Sequence, residues 1–245
     1  MATTPSFRYS NGQVATSDAA KSFSWEEPVP VNRFWDSIDY CTAHNFLGNF
    51  SDAEQGQLPV ESDSADDTDT KLRLLLRLLR EKIDRQEGAA SPPGSLYETG
   101  YEKWYSLWQG VFRIQDMLGL PEAEDTVRML VAKAKGRNIV PGHMLAEYLA
   151  KNGKYREAEE TERPVLAWME GSPGLGRDSP QAINARRIMV KALWGQGQER
   201  RGEAESMLAE LEEIVDRMGG GKFGVYQEEE RSLNRQMMAQ LDTLT

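Results

Sequence analysis

From residue 70 onward, apolar residues recur every three to four positions. In TKLRLLLRLLREKIDRQEG (70–88), Leu72, Leu75, Leu76, Leu79 and Ile83 fall at i, i+3, i+4, i+7 and i+11. That spacing predicts one amphipathic helix, with Arg73, Arg77 and Arg80 on its solvent side. Asp67 or Asp69 can serve its N-terminus, and Gly88 stands where a C-cap belongs. AASPPGS (89–95) breaks the pattern. Beyond it, Trp104, Leu107, Trp108, Val111, Ile114 and Leu118 form a second stripe, and Val127, Leu130 and Val131 begin a third. Pro141 suits the first turn of the next helix, with Leu145, Ala146 and Leu149 facing inward. Another helix runs from about Tyr155 to Trp168, and Pro180 opens one carrying Met189, Ala192 and Leu193. Ala204, Met207, Leu208, Leu211, Ile214 and Val215 mark a further helix that GGG (219–221) ends. Leu233, Met237 and Leu241 mark the last. Period-two alternation is confined to short fragments, so strands should be rare or absent.

The first third reads differently. Residues 1–31 show no sustained period and predict coil. In 31–50, Phe34, Trp35, Ile38, Cys41 and Leu47 predict one short amphipathic helix ending near Gly48. ESDSADDTDT (61–70) has five acids and no base, half of the chain's net charge of −10, and predicts a solvated linker. The expected organisation is an N-terminal extension over 1–69, partly disordered, followed by a helical domain over 70–245.

Composition narrows the class. With 245 residues, 39% of them hydrophobic and 28% charged, the chain can bury a real core. No apolar run approaches the roughly 18 residues of a membrane helix. The polar N-terminus lacks the apolar core of a signal peptide, and a single cysteine, Cys41, excludes an internal disulfide. These features point to the cytoplasm, or the nucleus, and away from a membrane. The acidic balance disfavours nucleic acid.

A motif repeats across the helical domain. Glu-Ala-Glu occurs at 122–124, 157–159 and 203–205, each time a few residues after a glycine: Gly119, Gly153 and Gly197. Such a glycine can stop one helix at positive φ. The alanine then falls in the first turns of the next helix, where a small side chain lets two antiparallel helices approach closely. The glutamates suit that helix's N-terminus. Tyr155 would pack across the turn. Pro164 lies inside the second helix of the middle pair and should kink it.

GKYREAE (153–159) resembles the turn of a tetratricopeptide repeat. Ala123 and Ala158 stand 35 positions apart, close to that family's period of about 34. GSPGLGRDSPQA (171–182) resembles the connection in kinesin-light-chain-type repeats. The likeness covers about residues 104–217, and its repeats are degenerate: Pro121 stands where the middle repeat has Tyr155. The resemblance implies an all-α fold, a short array of about three tetratricopeptide-like hairpins forming an α-α superhelix with a capping helix. It also implies a protein-interaction scaffold or adaptor whose first helices line a concave groove. Carried onto this chain, that groove consists of Gln109, Arg113, Asp116, His143, Glu147, Arg187, Lys191 and Trp194. The last three suit a protein or peptide with acidic character, and the chain's own 61–70 segment is one such peptide.

Catalytic chemistry finds little support. His44 and His143 are the only histidines, and no motif joins them. Cys41 and His44 could form a thiolate–imidazolium couple on one helix face, but no third group is visible, so a buried Cys41 beside a surface His44 is expected. Asp36, Asp39 and His44 match no metal spacing. The Gly-rich SPGLG and MGGGKFG read as loops. No cofactor, metal site or catalytic residue is assigned, and nothing fixes the oligomeric state. The rival to the scaffold is a small-molecule binder or enzyme, with Tyr97, Tyr101, Trp104, Tyr105 and Trp108 as an aromatic pocket wall between the N-terminal helix and the first hairpin.

Overall fold

The computed structural model describes residues 6–16, 23 and 27–241. The rest of the coil expected over 1–31 lies outside the described residues. The protein is all-α apart from one small sheet, and it groups into two compact units, Met1–Leu130 and Val131–Thr245.

The first unit opens with three two-residue strands, β1 (Phe7–Arg8), β2 (Val14–Ala15) and β3 (Val29–Pro30), antiparallel in the order β2-β1-β3. The helices are α1 (Tyr40–Leu47), α2 (Asp52–Gln55), α3 (Thr68–Ala89), α4 (Leu96–Thr99), α5 (Tyr101–Met117) and α6 (Glu122–Ala134), the last running into the second unit. The single helix expected over 31–50 is split. Trp35–Ser37 makes one 3-10 turn, Ile38 is extended, and α1 starts only where the Asp39 carboxylate accepts from the Thr42 N–H. That register turns Cys41 outward, while His44 is half-buried and stacked on Tyr40. Both differ from the expected buried Cys41 and surface His44.

All five stripe residues of α3 are buried, and α1 and α3 pack on α5. Gly110 of α5 makes this approach possible: a Cβ there would stand 3.0 Å from Leu79 Cδ1 and 3.5 Å from the Asn45 carbonyl oxygen. Tyr9, Val29, Phe34, Trp35 and Ile38 are buried too, so the extension contributes to the core. The acidic 61–70 run is mostly exposed, as expected, but its end is structural. Asp67 caps α3 by accepting from the Thr70 N–H, and Gly88 lies inside the helix, one residue before its last. Two buried lysines anchor the unit. Lys71 donates to the Arg33 carbonyl at 2.9 Å and the Ser37 hydroxyl at 3.1 Å. Lys82 donates to both Glu54 carboxylate oxygens at 2.8 Å, which, with the Ser51 cap, holds that carboxyl down at about 2.

The second unit contains α7 (Val140–Lys151), α8 (Tyr155–Gly171), α9 (Pro180–Gly195), α10 (Gln198–Arg217) and α11 (Gln227–Leu241). Gly119, Gly153 and Gly197 adopt φ of 61°, 74° and 95°. At two corners the backbone closes a six-residue loop: Leu120 N–H donates to Gln115 O, and Lys154 N–H to Leu149 O, both at 2.9 Å. This is the glycine helix stop that satisfies orphan carbonyls. Ala123, Ala158 and Ala204 are completely buried, as the motif requires. Val165, Leu166 and Met169 of α8 meet Ala182, Ala185 and Met189 of α9 in one apolar cluster. Tyr155 reaches α9. Its ring lies against Gly195 at the end of α9, so close that a Cβ there would sit 2.4 Å from it. α8 runs helical through Pro164, whose ring faces solvent.

Candidate functional site

Helix α9 contributes Asn184, Arg187, Ile188 and Lys191 to a cleft in the second unit. The helix is long and regular because Pro180 starts it, the Ser179 hydroxyl accepts from the Ala182 N–H, and alanines at 182, 185 and 192 let it sit between α8 and α10. The cleft has a volume of about 580 Å³. Glu147, Ala150 and Lys151 of α7, Tyr155 of α8, and Leu233, Gln236, Met237 and Gln240 of α11 complete its walls. The structure therefore brings together three residues expected in a groove: Glu147, Arg187 and Lys191.

Their roles differ. Arg187 is only 6% exposed. It donates to Glu230 at 2.6 Å and to Asn234 at 3.1 Å, both on α11, so it is not the open cation the sequence suggested. Trp194 donates its indole N–H to the Leu241 carbonyl at 3.1 Å and carries the Arg201 guanidinium on its ring face. Both are taken by α11, which lies along the face expected to be free. Lys191 is half-buried in the cleft and makes no hydrogen bond or ion pair among the described residues. Burial lowers its pKa, the nearby Arg187 charge adds to that, and Glu147 opposes both.

His143 was expected in the groove and is buried instead. Its Nδ1 lies 2.7 Å from Glu162 Oε1, and its Nε2 lies 3.0 Å from Asn184 Nδ2. With Nδ1–H donating to the carboxylate, Nε2 remains an acceptor for the amide. Glu162 is fully buried; that burial pushes its carboxyl up, against the pull of His143. Polar contacts thus run from Glu162 through His143 and Asn184 toward Arg187 and Glu230, linking α8, α7, α9 and α11. Glu230 is likewise pushed up by burial and pulled back by Arg187.

The remaining candidates belong to the first unit. Gln109, Arg113 and Asp116 are half-buried on α5. The five aromatics pack on one another: Tyr97 meets Trp104 edge-on at 5.0 Å, Tyr101 stacks on Tyr105 at 6.1 Å, and Trp104 reaches Trp108 at 6.5 Å. Trp104 and Tyr105 are buried. The rings spend their faces on each other, the offset and edge geometry aromatic clusters favour.

Sequence reasoning missed the α11 wall of the cleft and the role of Glu159. Glu159 accepts from both Arg200 guanidinium nitrogens at 2.9 and 2.8 Å, from Gln196 at 2.6 Å and from Arg163. Burial alone would raise its carboxyl, but these donors hold it at about 2.

Among the described residues, no cluster of three or more His, Cys, Asp or Glu is placed to hold a metal, and no helix is long and apolar enough to cross a membrane. Fold and cleft define an all-α protein with a cleft of mixed charge and part-apolar walls in its second unit. No family model, curated protein or solved structure matches the chain.

Proposed function

We propose that the second unit is an interaction module of tetratricopeptide-like hairpins that binds an acidic peptide in the cleft beside α9. The observation carrying this reading is Lys191: an ammonium in a concave site, partly withdrawn from water, beside a second cation and without a hydrogen-bond partner among the described residues. Such a group gains most from a carboxylate delivered by a ligand, since charge-assisted hydrogen bonds strengthen where water is scarce. Tyr155, Ile188 and Leu233 offer apolar surface for the residues flanking that carboxylate.

The test is calorimetric titration of acidic peptides onto wild type and Lys191→Glu, with ESDSADDTDT supplied in trans as one probe. Binding should weaken as salt rises, because the site opens to solvent. It should drop by about tenfold or more in Lys191→Glu, given the 1.5–3 kcal/mol scale of a charged hydrogen bond, while the melting curve stays nearly unchanged. Equal affinity for both proteins would remove the cleft from consideration.

A further inference from the structure

The face of α9 already has an occupant. The buried residues of α11 are Glu230, Asn234, Met237 and Leu241, about one per turn, and the first two are polar. Glu230 and Asn234 both receive Arg187, and the Leu241 carbonyl receives Trp194. The ion pair that holds α11 on α9 adds little net stability, because a buried pair largely offsets its attraction by its own desolvation; on the α10 side, Gln227 donates to the Val215 and Asp216 carbonyls and Arg231 pairs with Asp216. The α8–α9 contact rests instead on the apolar cluster of Val165, Leu166, Met169, Ala182, Ala185 and Met189. The chain leading into α11 contains Gly219, Gly220, Gly221 and Gly224. The cleft stays open between Leu233, Gln236 and Gln240 on one wall and Tyr155 and Lys191 on the other, so α11 does not close-pack against this part of the unit.

We propose that α11 is a built-in stand-in for the ligand, and that the partner is itself an amphipathic helix. The partner carries a carboxylate for Arg187, a side-chain amide one turn later, and Met or Leu one and two turns beyond that, the i, i+4, i+7, i+11 order of α11. Partner binding displaces α11, which covers the Arg187 face in its absence. This inference rests on the interaction reading above and supplies its regulation.

The test uses the full-length chain and a fluorescein-labelled synthetic peptide of residues 222–241. It is titrated onto wild type, Glu230→Gln and Glu230→Lys, with hydrogen exchange followed in the same proteins. In wild type the tethered helix competes at an effective concentration on the order of millimolar. Weakening the tethered copy should therefore tighten binding of the intact peptide, by about tenfold in Glu230→Lys and by less in Glu230→Gln. A peptide that itself carries Glu230→Lys should lose binding. Amides of α11 should exchange faster in both variants, while those of α8 and α9 keep their protection. Equal peptide binding by all three chains, including none, overturns the proposal. So does loss of protection in α9 and α11 together, which makes α11 ordinary core. Because the probe is the chain's own helix, this outcome is separate from that of the Lys191 titration. Failure there, with success here, leaves a self-contained latch without an acidic-peptide site.

Discussion

Ala158 and Glu159 are adjacent, and both are buried, for opposite reasons. Ala158 has no accessible surface and lies where α8 meets its neighbours. Ala158→Asp inserts a charge and extra volume with no partner, and should cost on the order of 3–5 kcal/mol in chemical denaturation. Glu159 is 8% exposed and binds the α9–α10 corner through Gln196 and Arg200. By helical position alone it belongs outside, where replacement costs under about 0.5 kcal/mol. In the folded chain, Glu159→Ala leaves two guanidinium groups and an amide short of an acceptor, and should cost about 2–3 kcal/mol. A cost near zero would mean that the bonds around Glu159 add nothing to stability. Gly195 gives a third test. Alanine there gains about 1 kcal/mol of helix propensity, but its Cβ would meet the Tyr155 ring at 2.4 Å. Overpacking of that kind costs about 1–3 kcal/mol, so Gly195→Ala should lower the melting temperature of wild type. In a Tyr155→Ala background the same change should raise it.

The longer helices of residues 70–241 were legible because their burial is periodic: Leu72 to Ile83 in α3 needs no knowledge of the partner element, whereas the four-residue α4 is too short to show a period. The corners were legible too, since Gly119, Gly153 and Gly197 mark positive φ in the sequence as they do in the structure. What could not be read was where a helix docks. Nothing local to Glu230 and Asn234 says that Arg187, more than forty residues earlier, receives them. The small sheet and the burial of Tyr9, Val29 and Phe34 escaped for a related reason: two-residue strands are too short to show a period. Pro164 was expected to kink α8; the helix continues through it, with the ring outside. Its missing N–H still deprives the Glu160 carbonyl of a helical donor. Pro164→Ala should therefore stabilise the protein by about 1–3 kcal/mol, with propensity as the source. A lower melting temperature would mean that the proline shapes α8 in a way α9 needs.

At the scale of the molecule, acid sensitivity follows from the carboxylates held below their ordinary range. Glu159 falls from an ordinary 4.5 to about 2. A depressed carboxyl contributes stability above its unfolded pKa and loses it as pH falls through the folded one. The contribution of Glu159 should thus be complete above about pH 4.5 and vanish toward pH 2, a loss of roughly 2 kcal/mol once solvent screening is allowed for. Glu159→Gln should flatten that part of the stability–pH curve; an unchanged slope would assign acid loss to other groups. The central claim concerns the cleft beside α9, and its most direct measurement is a nuclear magnetic resonance titration of isotope-labelled full-length protein with an acidic peptide. The account predicts saturable shifts at Glu147, Lys151, Tyr155, Lys191 and Gln236, falling away as salt is added. Shifts confined to residues before 131, or none that saturate, would contradict it.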